Sequence, residues 1–554
     1  MMQDTPLIVQ SDKTLLLDVH HEQSEACRND LVRFCELIKS PEHMHTYALS
    51  AISLWNASSC GVDVSFILSR LDYWSKFPVP ESVRFYIEDM ATRWGKVVLS
   101  SSDDPSYYEL WVESERIRTE LLNRQAIAKL LIVKDESRFL LAAYNRGEIK
   151  LQLIKIGYPV DDRIPLNHGP LVPVSLRDTT LGGKPFTVRP YQKQAADALL
   201  GDLGPGSGFG TIVLPCGSGK TVVGLHIMER LTTKTLIVTT NVAAVHQWIN
   251  EILDKTTLKK DQVGEYTGEK KESKEVIVCT YQVLTYRPDK DGPFPHLELL
   301  TKGNWGLIIY DEVHMLPAPV FKVTAELQAV YRVGLTATLV REDGREDEVF
   351  SLVGPKRFDV PWNELQQQGF IAEAYCHEVR IDLPKEQEIP YAIGTKREKY
   401  RIASENKRKL EVVQALVDRH PDDFILIIGQ YLDQLKNIAD HFGLPIITGS
   451  TPNIKREALY RDFREGRQRI LVVSKVANFA IDLPDASVAI QVSGTFGSRS
   501  EEAQRLGRIL RPKNRSSFFY SVVTRYSSEE EFAANRQKFL AEQGYSYEIE
   551  VWDT

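Results

Sequence analysis

From about residue 185 onward, short apolar runs alternate with segments of helical period. The runs lie at 211–214, 235–239, 275–279, 307–310 and 333–335. Unbroken apolar strands separated by amphipathic helices predict a parallel sheet covered on both faces. A second set at 424–428, 446–447, 470–473, 488–492 and 518–523 predicts another sheet of the same kind. The expected fold class is α/β, with two parallel-sheet lobes.

The rest of the chain follows other rhythms. Residues 1–125 read as a mainly helical accessory domain with short strands, such as the run at 14–19, and a helical period over 27–38. Residues 126–182, with apolar runs at 130–133 and 151–154 broken by charged turns, read as a small strand-rich module. The lobes are expected at 183–361 and 412–554. Between them, 362–411 fits neither sheet and reads as a helical insertion. The glycines between Gly201 and Gly210 precede a strand, which suggests a flexible connector.

At 554 residues the chain exceeds the size of a single growing core, so several domains are expected. A net charge of -7 excludes a protein that coats nucleic acid through overall basicity, and charge has to be read by segment. Residues 396–409 carry seven basic side chains against two acidic ones, which makes Lys407, Arg408 and Lys409 candidate contacts to a polyanion such as DNA. The six cysteines form no CxxC pair and no metal-ligand spacing, which fits reduced thiols. With no signal-like N-terminus and no apolar stretch of about 20 residues, the expected location is cytoplasmic, beside the nucleoid, without a membrane.

Chemistry enters at Leu214, Pro215, Cys216, Gly217, Ser218, Gly219, Lys220 and Thr221. A strand, a glycine-bearing loop and a helix opening at Lys220 place backbone N–H groups and the positive helix end around phosphates. Lys220 would reach the β- and γ-phosphates of ATP, and Thr221 would hold Mg²⁺. Leu214 stands where the general pattern has glycine. Downstream, Asp311 and Glu312 end an apolar strand, where α/β sheets bind ligands. Asp311 suits Mg²⁺ and Glu312 suits activation of the attacking water. Arg508 and Arg511, three apart in the stretch 504–511, fall on one helix face in the second lobe. Supplied from there, they would stabilise the transferring γ-phosphoryl and make hydrolysis depend on lobe closure.

Together, Arg189-Pro190-Tyr191-Gln192, the loop at 214–221, Asp311-Glu312-Val313-His314, Gly334-Leu335-Thr336-Ala337-Thr338 and the segment from Gln504 to Arg511 resemble the ordered motifs of superfamily 2 helicases. Within that superfamily the chain is similar to the XPB family. The DEVH spelling, Arg341-Glu342-Asp343, and Ser474-Lys475-Val476 leading to Ile481-Asp482-Leu483-Pro484 carry the narrower match. The resemblance runs from about 185 to 525, and more weakly into the N-terminal part through Pro41-Glu42-His43 and Ser53-Leu54-Trp55.

The resemblance implies two RecA-like lobes and ATP-driven 3′ to 5′ movement on DNA in nucleotide excision repair. It makes 362–411 a DNA-gripping thumb and 126–182 a damage-recognition module. It adds Arg189, Gln192 (to adenine), Asp482 and Gln504 to the ATP site. His314, Thr336 and Thr338 would couple hydrolysis to strand binding, and Arg341, Glu342 and Asp343 would open the duplex. Arg345-Glu346-Asp347 repeats that triplet, so either copy can serve. Ala480 stands where many members have glycine, which bears on Asp482. Compactness suggests a bacterial or archaeal form. Single-stranded, forked or damaged DNA and a repair nuclease or other repair proteins are the implied partners, without an iron–sulfur cluster. The alternatives are a duplex translocase of restriction or remodelling type, and a scaffold switched by nucleotide.

Overall fold

The computed structural model describes residues 4–39, 43–59, 61–104, 106–164, 168–201, 203, 207–215, 217–288, 295–296, 302–313, 329–337, 353–360, 362–371, 373–474, 486–494, 516–542 and 546–552. One compact unit holds two N-terminal sheets and the first lobe, and another holds the second lobe.

The first sheet is antiparallel, in the order β1-β2-β4-β3, from β1 (Leu7–Val9), β2 (Thr14–Asp18), β3 (Glu36–Lys39) and β4 (Met44–Ala48). Helices Ala51–Ser59, Val64–Trp74 and Glu81–Thr92 contribute to the core beneath it. The helical period expected over 27–38 therefore stops at Leu31, and Ile38 belongs to β3.

The second sheet, β7-β8-β6-β5-β9, uses β5 (Val97–Ser101), β6 (Tyr107–Val112), β7 (Leu131–Val133), β8 (Arg138–Ala142) and β9 (Val160–Asp162). The expected boundary at 126 cuts through this sheet, because β6 pairs with β8 and β5 with β9. The run at 151–154 is helical, not extended. It lies in the helix Arg146–Lys155, where Ile149 and Leu153 are buried four residues apart.

The first lobe is a seven-stranded parallel sheet, β12-β13-β11-β14-β15-β10-β16. Its strands are β10 (Phe209–Val213), β11 (Thr235–Thr239), β12 (Val263–Tyr266), β13 (Val276–Thr280), β14 (Leu307–Asp311), β15 (Tyr331–Thr336) and β16 (Lys356–Asp359). Gly210 is no connector residue. It sits inside β10, where an added Cβ would lie 2.4 Å from Arg357 Cγ and 2.7 Å from the Pro355 carbonyl.

The second lobe repeats the plan as β19-β20-β18-β21-β22-β17-β23, again parallel. It uses β17 (Ala374–Ile381), β18 (Ile425–Gly429), β19 (Ile446–Ile447), β20 (Ile470–Ser474), β21 (Val488–Gln491), β22 (Ser517–Thr524) and β23 (Ser546–Val551). The segment 362–411 is therefore not a purely helical insertion: β17 lies within it and occupies an interior place in the sheet. Its alternating residues, with His377, Glu378 and Arg380 among apolar ones, hid it from a search for unbroken apolar runs. Helices Trp362–Gln367, Lys385–Ile393 and Lys396–Ser404, with the start of Lys409–Arg419, make up the helical part of the segment among the described residues.

Candidate active site

Three of the sequence motifs meet at one end of the first lobe. Val213, the last residue of β10, pairs with Thr336 at the end of β15, and Leu335 pairs with Asp311 at the end of β14. Parallel strands point the same way, so their C-terminal ends share one edge, the usual ligand side of such a sheet.

After β10 the chain turns through Gly217 (φ +79°) and Gly219 (φ +82°), left-handed conformations that glycine holds without a Cβ clash. Ser218 is buried, and its hydroxyl donates to the Pro215 carbonyl at 2.6 Å, closing the turn on itself. Lys220 then opens the helix Lys220–Leu231, with Thr221 in its first turn. Backbone N–H groups in that turn have no intrahelical acceptor, which suits an anion.

Lys220 Nζ lies 3.3 Å from Glu312 Oε1, with both side chains largely buried. Glu312 has φ +49°, rare for a residue with a Cβ, at the point where the chain leaves β14. Asp311 accepts a hydrogen bond on Oδ2 from Trp248 Nε1 at 2.9 Å, and its backbone carbonyl accepts one from the Tyr281 hydroxyl at 2.8 Å. Burial, then the neighbouring Glu312 charge, push the Asp311 carboxyl above the usual carboxylate range, while the Trp248 N–H and Lys220 oppose the shift. Lysine, two carboxylates and the helix start thus occupy one site.

Sequence reasoning missed Trp248 and Gly224. Gly224 lies in the phosphate-loop helix, and a Cβ there would stand 2.6 Å from Trp248 Cη2. A glycine inside a helix costs about 1 kcal/mol relative to alanine, so its presence was a readable sign of close packing.

Other predicted residues are placed differently. Gln192 Oε1 accepts from the Arg189 backbone N–H at 2.9 Å, so its side chain caps the helix Pro190–Leu200, which packs on the phosphate-loop helix. Its amide nitrogen donates to the Tyr191 hydroxyl at 3.4 Å, and Arg189 Nη1 donates to the same oxygen at 3.3 Å. Thr336 is wholly buried, so any coupling role passes through its neighbours. Cys216, His314, Thr338, Arg341, Glu342, Asp343, Asp482, Gln504, Arg508 and Arg511 lie outside the described residues.

In the second lobe the basic triplet divides. Lys407 is exposed and Arg408 half-buried. Lys409 is not a DNA contact: its side chain is 1% exposed, with Nζ 2.8 Å from both Glu529 carboxylate oxygens and 2.7 Å from the Val492 carbonyl. It shares the buried stripe of the helix Lys409–Arg419 with Val412, Val413 and Leu416, a spacing that a count of charges ignores.

Residues 365–552 match the family described as ERCC3/RAD25/XPB C-terminal helicase, and 185–341 match the type III restriction enzyme res subunit. Residues 7–136 match a family described as helicase conserved C-terminal domain, here at the N-terminal end. Over 552 residues the chain is 47% identical to the DNA 3'-5' helicase XPB of Mycobacterium tuberculosis, covering 99% of this chain and 98% of that one. The chain belongs to the XPB helicase family. A second XPB relative, from Kineococcus radiotolerans, is 45% identical over 99% of this chain and 97% of its own. The XPB/SSL2 subunit of general transcription and DNA repair factor IIH from Saccharomyces cerevisiae is 31% identical, over 97% and 71% respectively. Among solved structures, the ATP-dependent type ISP restriction-modification enzyme LlaBIII bound to DNA shares the fold, with a TM-score of 0.50 at 12% identity over 67% of this chain and 32% of that one. XPB membership and the paired parallel sheets establish a superfamily 2 architecture with two RecA-like lobes.

Proposed function

We propose that this XPB-family chain is an ATP-dependent DNA helicase and translocase that moves 3′ to 5′ and serves DNA repair. The observation that carries the catalytic part is the convergence of Lys220, Asp311 and Glu312 at the ends of strands in one parallel sheet. The family match supports DNA as the track, because relatives aligned over nearly their full length are named DNA 3'-5' helicases.

In this reading, Lys220 exchanges Glu312 for the β- and γ-phosphates of ATP. Its departure leaves the Glu312 carboxylate available to orient the attacking water. Thr221 and Asp311 offer only oxygen ligands, a donor set that fits Mg²⁺ rather than a softer metal. Held by these two residues, Mg²⁺ would supply charge neutralisation at the phosphates. Arg508 and Arg511 keep the γ-phosphate role assigned from sequence, and Arg341, Glu342 and Asp343 that of strand opening. The damage-recognition-like role assigned by resemblance to 126–182 extends to the whole sheet, because β8 and β9 pair with β6 and β5, which precede that range. A repair nuclease or other repair protein docks on the N-terminal domains, and the protein works in the cytoplasm beside the nucleoid.

The test is DNA-stimulated ATPase activity on single-stranded DNA, duplex and RNA, together with unwinding of a duplex bearing a 3′ single-stranded tail. DNA stimulation with strand release is expected. ATP turnover without release makes the chain a duplex translocase. Stimulation by RNA alone overturns the choice of track.

A further inference from the structure

The buried indole beneath the phosphate-loop helix does more than fill space. Trp248 is 2% exposed and lies in the helix Val242–Lys255. An indole has one polar atom, a donor, and a buried one needs an acceptor. Here the acceptor is not a backbone carbonyl of the surrounding core but Oδ2 of Asp311, 2.9 Å away.

Two further contacts hold this arrangement. The absence of a side chain at Gly224 admits the far edge of the indole against the helix that begins with Lys220, where a Cβ would come within 2.6 Å. The Tyr281 hydroxyl, donating to the Asp311 carbonyl, holds the main chain of the same residue. Asp311 is therefore tied at its backbone and at one carboxylate oxygen by side chains from two other elements.

We propose that Trp248 is a positioning residue of the hydrolysis site, fixing the Asp311 carboxylate in one orientation for the divalent cation. The inference rests on the reading of Asp311 as a cation ligand. Partners that orient a ligating carboxylate are worth about 10- to 100-fold in metal affinity when removed. The indole N–H does this work while its ring packs α-helix against α-helix.

The test uses the full-length protein with Trp248 replaced by β-(3-benzothienyl)alanine, which keeps the shape and lacks the N–H, alongside Trp248→Phe. Mn²⁺ affinity is measured by electron paramagnetic resonance with a non-hydrolysable ATP analogue, and analogue affinity is measured separately without metal. Both variants should bind Mn²⁺ at least about tenfold more weakly, with metal-free analogue affinity unchanged and the isostere folded as the parent by circular dichroism. Unaltered Mn²⁺ affinity in the isostere overturns the proposal. Asp311→Asn separates the two levels: loss of Mn²⁺ there, with none in the isostere, removes the role of Trp248 alone. Retention of Mn²⁺ in Asp311→Asn removes the ligand assignment and the proposal with it.

Discussion

Lys409 and Glu529 form an ion pair sealed from solvent, with the Lys409 ammonium 2.8 Å from each carboxylate oxygen. Glu529 also accepts from the Thr524 backbone N–H at 3.0 Å, so the pair joins the start of one helix to the end of β22. Lys409→Met leaves a buried carboxylate without its cation and should destabilise the protein by about 3–5 kcal/mol, read by denaturant unfolding. Adding Glu529→Leu should restore most of that loss. DNA affinity per folded molecule should stay unchanged in both.

Lys407 and Arg408 keep the DNA role proposed from sequence, and Lys407 is exposed. Neutralising both as Lys407→Ala/Arg408→Ala should weaken DNA binding and reduce the slope of log affinity against log salt by about 1.5, the share of two phosphate contacts. Titrations at several salt concentrations check this. An unchanged slope assigns the two side chains to a solvated helix face.

The Lys220–Glu312 contact separates two kinds of loss in ATP turnover. Lys220→Ala should abolish hydrolysis and weaken nucleotide binding, because it removes the phosphate contact. Glu312→Gln should abolish hydrolysis while nucleotide binding persists, since the amide cannot take a proton from water. Substantial turnover in Glu312→Gln assigns the water-activating role elsewhere.

His45, in β4, gives the N-terminal unit a dependence on pH. Burial, followed by the nearby Arg28 charge, lowers its imidazole from 6.5 to about 4. The unfolded chain takes up the proton near 6.5, whereas the folded chain resists until about 4. Stability is therefore complete above 6.5 and falls as pH drops toward 4. His45→Gln should flatten that part of a stability-against-pH curve measured by denaturant unfolding.

The central strands of both lobes were legible because they are buried on both faces and read as unbroken apolar runs, as in β11, where all five residues are buried. Strands with a polar face were not legible in that way. β17 alternates, and β5 and β6, though they pair with each other, take their outer partners β9 and β8 from further along the chain. The phosphate loop and the Asp311-Glu312 pair were readable because each motif is local. The contact between Trp248 and Asp311 spans 63 residues and exists only after the sheet forms, so no spacing rule exposes it. Lys409 was misplaced because a run of charges says nothing about which helix face each residue occupies.

The placement of β17 has a consequence for how the protein is made. Glu378 of β17 accepts a hydrogen bond from Tyr547, 169 residues later, and β17 is flanked by β22 and β23. A ribosome releasing the chain from its N-terminus exposes β17 long before either neighbour exists. The first lobe shares this feature, since β10 pairs with β15 and β16, both far downstream, so each lobe holds an interior strand until its last strands emerge. A chain cut short before β22 therefore leaves β17 with both edges open for another molecule to pair with.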